Sequence, residues 1–118
     1  MNLAELFSHE TDLFDIAAGQ TLFKAGDQGD VMYVLMSGTA EIVVNGKVVE
    51  QIEPGAILGE MAMIDNSPRS ATVIAKTDCK LLPIAKQRFN FLIQETPNFA
   101  QHVMRIMAKR LRKTDTYL

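Results

Sequence analysis

Two side chains nine positions apart carry most of the chemistry in this sequence: the carboxylate of Glu60 and the guanidinium of Arg69. An ionised carboxylate only accepts hydrogen bonds, so Glu60 suits a hydroxyl donor such as that of a sugar. A guanidinium is a rigid fork that matches two phosphate oxygens. Gly59 precedes the acid and, without a Cβ, lets the backbone come close to a ligand. The residues after it read as a short helical turn. The amides of Met61 and Ala62 at its start have no partner inside the turn and attract an anion. An acid for a hydroxyl and a cation for a monoanionic phosphodiester describe the grips for a ribose closed by a cyclic phosphate. Taken alone, Glu60 and Arg69 equally describe a surface ion pair across a turn, worth about 0–1 kcal/mol.

The elements that must hold this stretch are short strands. Residues 14–16 and 21–23 flank Gly19, and residues 26–30 form a turn-rich loop. Residues 31–36 are an apolar run short enough for a buried strand. Asn45-Gly46 lies between residues 42–44 and 48–49 and is the strongest hairpin signal in the chain, because a type I′ turn needs positive φ at both positions. Pro54-Gly55 marks another turn, and residues 71–75 and 80–84 give two further strands. Strands at this spacing indicate a sandwich or barrel.

The two ends are helical. Asn2 caps a single turn in which Leu3, Leu6 and Phe7 share a face. Residues 86–95 put Phe89, Leu92 and Ile93 on one side. Thr96-Pro97 restarts a helix that runs to about residue 113, with proline at the first position. Its apolar positions, Phe99, Ala100, Val103, Met104, Ile106, Met107, Ala108 and Leu111, cover about 200° of the wheel, where a helix resting on one domain shows nearer 100°. That width predicts either contact on two sides or alanines filling a polar face. Lys109, Arg110, Arg112 and Lys113 suit the dipole of a solvated helix end.

Gly59-Glu60-Met61-Ala62 followed by Pro68-Arg69-Ser70-Ala71-Thr72 strongly resembles the phosphate-binding cassette of cyclic nucleotide-binding domains. That family includes kinase A regulatory subunits, catabolite-activator-type regulators and cyclic-nucleotide-gated channels. Gly26-Asp27-Gln28-Gly29-Asp30, then Tyr33-Val34-Leu35-Met36-Ser37-Gly38, then Pro54-Gly55 resemble its turns in order, so the likeness covers nearly the whole chain. It implies a mainly β fold: an eight-stranded antiparallel β-roll of jelly-roll type, with a short N-terminal helix, a cassette helix and two C-terminal helices. The expected organisation is one domain over residues 1–118, with the roll at 12–86 and the C-terminal helices at 87–113. It further implies a regulatory module that binds cAMP, or cGMP, through Gly59, Glu60, Met61, Ala62, Arg69, Ser70 and Ala71. The ligand is then the signal and not a cofactor. The last helix is expected to act as a lid, with Met104 and Met107 over the base and Arg105 or Lys109 at its edge. Ligand capture would repack residues near Ile64 and Leu82 against Phe89 and Leu92 and reposition that helix. Two positions depart from the pattern: Leu58 replaces a frequent aromatic residue, and Ser70 supplies a hydroxyl able to accept from a guanine amino group.

The same residues bear on partners and on other functions. An effector protein is expected to receive the signal, and the last helix is a candidate for pairing with a second copy. A net charge of −2 gives no global basic field for nucleic acid, and few residues follow Leu111, so direct DNA binding is not expected. The longest apolar run, residues 31–36, is far short of the roughly 20 needed to span a membrane. A single cysteine, Cys79, fits a reducing compartment, and the acidic N-terminus is unlike a signal peptide, so a cytoplasmic protein is expected. His9 and His102 lie at opposite ends and outside the strands, which gives no metal site of the cupin kind. Neither a Walker loop nor a Ser-His-acid set is present, and no enzymatic activity is expected. The competing reading keeps the roll as a non-enzymatic interaction domain with a vestigial pocket.

Overall fold

The computed structural model describes residues 1–117; Leu118, the last residue of the expected single domain, lies outside the described residues. Eight antiparallel strands form two four-stranded sheets. They are β1 (Phe14–Ile16), β2 (Thr21–Phe23), β3 (Val31–Ser37), β4 (Ala40–Val44), β5 (Lys47–Ile52), β6 (Ile57–Leu58), β7 (Thr72–Ala75) and β8 (Cys79–Ala85). One sheet has the order β1-β8-β3-β6 and the other β2-β7-β4-β5. Helix α1 (Leu3–Leu6) precedes the roll, a 3-10 turn (Glu60–Met63) interrupts it, and α2 (Lys86–Glu95) and α3 (Pro97–Tyr117) follow it. The eight-stranded roll with flanking helices is the fold that the cassette resemblance implies.

The apolar run at 31–36 is continuous because β3 is buried on both faces. Successive side chains in a strand point to opposite sides. Met32 and Val34 pack toward the helices, with Ile57 of β6 and Leu82 and Ile84 of β8. Leu35 packs into the roll, with Leu58 of β6 and Cys79 and Leu81 of β8. Three strands therefore separate two cores. One fills the roll; the other lies beneath Leu3, Phe7, Phe89, Phe99 and Val103 and takes in Ala62 and Met63 of the 3-10 turn.

Local chemistry sets the connections. Asn45 (φ 51°) and Gly46 (φ 76°) join β4 to β5, with Val44 paired to Lys47, which is the two-residue turn that the sequence announces. Asn2 caps α1, its Oδ1 accepting from the amides of Ala4 (3.0 Å) and Glu5 (3.3 Å). Thr96 precedes a proline and is driven out of the helical region (φ −133°, ψ 81°), so α2 stops there and α3 starts in a new direction. Phe89 then meets Phe99 edge to face, with ring centroids 6.1 Å apart.

Several expectations change. Helix α3 continues to Tyr117, past residue 113. Leu6 is exposed while Leu3 and Phe7 are buried, so only two members of the α1 face are used. Ile64 itself is 61% exposed, and Met63 beside it is the buried residue of that neighbourhood that touches this core. The wide apolar stripe of α3 divides: Phe99 and Val103 are buried, Ile106 and Met107 pack on the same core, and Met104 and Leu111 are exposed.

Candidate functional site

Arg69 is fixed first through its backbone. Its amide donates to Asp27 O (2.8 Å), and Gly26 N–H donates to Arg69 O (2.8 Å), so the 26–30 loop and the cassette are stitched together. Its side chain turns inward and the residue is only 8% exposed. Nη2 donates to Val31 O (2.7 Å), Nη1 donates to Gly59 O (3.3 Å), and Cζ stands 4.3 Å from the centre of the Phe23 ring. Phe23 stacks on Tyr33, which meets Phe14 edge to face. Two glycines complete the berth: a Cβ at Gly29 or Gly59 would collide with the guanidinium. Gly59 also has φ +72°, which an L side chain rarely adopts. Its missing Cβ thus makes room for Arg69 as much as for a ligand.

The groups around this cation do not neutralise it. Carbonyl dipoles and a ring face are attractive, but among the described residues no carboxylate forms an ion pair with Arg69. Its Nε is buried with no hydrogen-bond partner. A buried donor without a partner costs about 1–3 kcal/mol, more when charged.

Glu60 opens the 3-10 turn and is 2% exposed. Its partner is not Arg69 but Arg110 of α3, whose Nη1 donates to Glu60 Oε1 at 2.8 Å. The same guanidinium grips Glu50 of β5, with Nε donating to Oε1 (3.1 Å) and Nη2 to Oε2 (3.3 Å). Burial works against the Arg110 charge, but the two carboxylates outweigh it and hold the group above its usual range. The surface ion pair between Glu60 and Arg69 is therefore not what forms: both groups are buried, and they do not pair.

Both groups nevertheless line one cavity of about 290 Å³. Its walls bring together Gly59, Glu60, Met61, Ala62, Arg69, Ser70 and Ala71, all seven positions expected to touch a ligand. Arg110 and Leu111 form the α3 side. Met104, Arg105 and Met107, expected as the lid, do not line it: Met104 and Arg105 are exposed, and Met107 packs on the helix-side core. The open amides also shift by one. Ala62 N–H is directed to Gly59 O (3.2 Å), so Glu60 and Met61, not Met61 and Ala62, precede the first bond of the turn. Arg110 is the residue that sequence reasoning missed, having placed it on a solvated helix end. Among the described residues no His, Cys, Asp or Glu cluster gathers as metal ligands, and no helix is long and apolar enough to cross a membrane.

Comparisons with known proteins bear on the family and the fold. The model of a family described as the cyclic nucleotide-binding domain matches residues 13–96. The chain is 34% identical over 110 residues to the Pycsar effector protein XpPycTIR of Xanthomonas perforans, covering 92% of this chain and 36% of that protein. Among solved structures it is similar to the Thermus thermophilus catabolite activator protein, with TM-score 0.77, 28% identity, and coverage of 98% of this chain and 55% of that one. It is also similar to the cAMP-bound form of the EAL enzyme Bd1971, with TM-score 0.68, 33% identity, and coverage of 89% and 29%. A cGMP-bound form of Bd1971 gives TM-score 0.69 at the same identity, covering 90% of this chain and 30% of that one. The chain spans about a third or less of the curated relatives it matches.

Proposed function

Because the chain belongs to the cyclic nucleotide-binding domain family, a regulatory and not a catalytic family, we propose that its cassette binds a 3′,5′-cyclic mononucleotide, cAMP first, and signals through α2 and α3. One observation carries this reading: Arg69 is a buried cation with an unpaired Nε and, among the described residues, no carboxylate partner, and it lines a cavity that it shares with Glu60. A phosphodiester supplies the missing negative charge, and the sugar hydroxyl donates to Glu60. The hydroxyl of Ser70 lines the cavity and can accept from a guanine amino group, which makes cGMP the competing ligand. The forms of Bd1971 solved with cAMP and with cGMP support a site of this class. A vestigial pocket would leave the buried, unneutralised Arg69 without a reason.

The signal route follows the packing. Ala62 and Met63 of the cassette turn share a core with Phe89 of α2 and Phe99 and Val103 of α3. A shift of the turn toward bound phosphate is then felt by both helices, within the limit set by the ligand's differential affinity for the two arrangements. The recipient is proposed to be an effector domain or protein, as the match to part of an effector protein suggests. Calorimetric titration with cAMP and with cGMP tests the reading. Arg69→Ala is expected to cost about 2–5 kcal/mol of cAMP binding, the range for truncating one partner of a buried charge pair. A variant that binds as tightly as the parent, or a parent that binds neither nucleotide, rejects it.

A further inference from the structure

The carboxylate proposed to take the sugar hydroxyl is already held, and by a residue of α3, one of the two helices proposed to carry the signal. Arg110 joins Glu60 on the cassette turn to Glu50 on β5, so the far part of α3 is fastened to both walls of the site. It also stands in the path of a ligand. Beside the 290 Å³ cavity lies a second compartment of about 70 Å³, bounded by Val44, Val49 and Glu50, and Arg110 borders both. Ile42, Ser70 and Ala71, like Arg110, line both, so the two spaces adjoin at this residue. A molecule with its phosphate at Arg69 and its sugar at Glu60 therefore meets Arg110 on the α3 side of the cavity.

We propose that Arg110 is a latch that the nucleotide must displace. The sugar hydroxyl competes with the Arg110 guanidinium for Glu60; the guanidinium gives up Glu60 and keeps its forked contact with Glu50, and the Arg110 end of α3 is loosened from the cassette turn while Phe99 and Val103 stay packed on the shared core. Glu60 is thus a shared acceptor whose occupant decides whether the Arg110 end of α3 is tied to the turn. This rests on the nucleotide reading above and adds its regulation: the resting contact opposes binding, and breaking it is the output. Because Glu50 keeps the displaced cation paired, it lowers the cost of release. The contacts of Arg110 with Glu60 and with Glu50 therefore have opposite effects on affinity.

That opposition is the test. Calorimetry with cAMP on the full chain compares the parent, Arg110→Gln and Glu50→Gln. Glu50→Gln is isosteric, and Arg110→Gln, though shorter, keeps hydrogen-bonding groups; thermal melting confirms that each variant is folded before affinities are compared. Arg110→Gln removes the competitor and is expected to bind about five- to tenfold tighter; Glu50→Gln removes the resting place and is expected to bind weaker by a similar factor, within the usual range of coupling between sites. Hydrogen exchange supplies the second readout. Saturating cAMP is expected to raise amide exchange over residues 104–113 in the parent and to leave it unchanged in Arg110→Gln, where it is already high. A strut with no role in binding moves both affinities alike or neither, and an arginine that grips the nucleotide makes Arg110→Gln weaker; either result overturns the latch while the nucleotide reading stands. If the parent binds no cyclic nucleotide at a concentration that would detect millimolar affinity, the nucleotide reading itself falls, and the latch with it.

Discussion

Arg69 and Arg110 border the same cavity and both are largely buried, yet among the described residues only Arg110 meets a carboxylate. Arg69 is held by two backbone carbonyls, the face of Phe23 and the space left by two glycines. Arg110 is clamped by Glu50 and Glu60. Removing a charge from water costs several kcal/mol, recovered only when the charge is paired and its donors are satisfied. At Arg110 that condition is met within the protein. At Arg69 it is not, and Nε is left over. The difference separates a cation paired within the protein from one to which, on the proposed function, the nucleotide phosphate brings the counter-ion.

Stability measurements give the largest contrast. Arg110→Met leaves two acids facing each other without their cation and is expected to cost about 3–5 kcal/mol, the range for breaking a buried pair from one side. Arg69→Met deletes a buried charge that no acid was pairing, at the expense of two bonds to carbonyls, and is expected to leave stability unchanged or slightly raised. Thermal melting of the two variants decides. If both melt far below the parent, the contrast between the two arginines is broken.

The next effect is smaller and acts on position, not charge. A methyl group at residue 29 would occupy the place of the Arg69 guanidinium, and Gly29 does not have the positive φ that would strain alanine there. Gly29→Ala is expected to push the side chain from its berth, with an overpacking cost of about 1–3 kcal/mol, and to weaken cAMP binding although every cassette residue is intact. Unchanged calorimetric affinity in a folded Gly29→Ala protein would mean that the berth does not position the charge.

Much of this arrangement can be read before folding, for physical reasons that differ by residue. Asn45-Gly46 specifies its turn because the backbone conformation depends on those two residues alone. Phe89, Leu92 and Ile93 lie on the buried side of α2, because helical periodicity marks a core face locally. The spacing of Gly59, Glu60 and Arg69 is legible through resemblance to a family whose cassette is nearly contiguous. What stays hidden depends on register between distant segments. Arg110 lies 50 and 60 residues from its two acids, and nothing near it in sequence tells a clamp from a solvated helix end. The lid expectation fixed on Met104, Arg105 and Met107 because methionine is adaptable. The rotation of α3 on the roll instead turns Arg110 and Leu111 to the cavity. Gly29 reads as one more turn glycine until Arg69 is seen against it. At two residues, β6 is too short for any periodicity to reveal.

The smallest effect tests why an unpaired cation is tolerated at all. Phe23 sits on β2 in register with Val73, stacks on Tyr33 and presents its face to Arg69 Cζ. A ring face attracts a cation by about 0.5–2 kcal/mol, more as the pair is desolvated, and so offsets part of the burial cost. Phe23→Leu removes that attraction, but it also removes ring volume, so its own loss of stability mixes two causes. A double-mutant cycle with Arg69→Met separates them, because the packing loss is common to both arms and the attraction to only one. The expected coupling is about 0.5–2 kcal/mol, with Phe23→Leu costing less in the Arg69→Met background. Additivity within about 0.3 kcal/mol would reduce Phe23 to packing and leave the two carbonyls as the only groups offsetting the burial of Arg69.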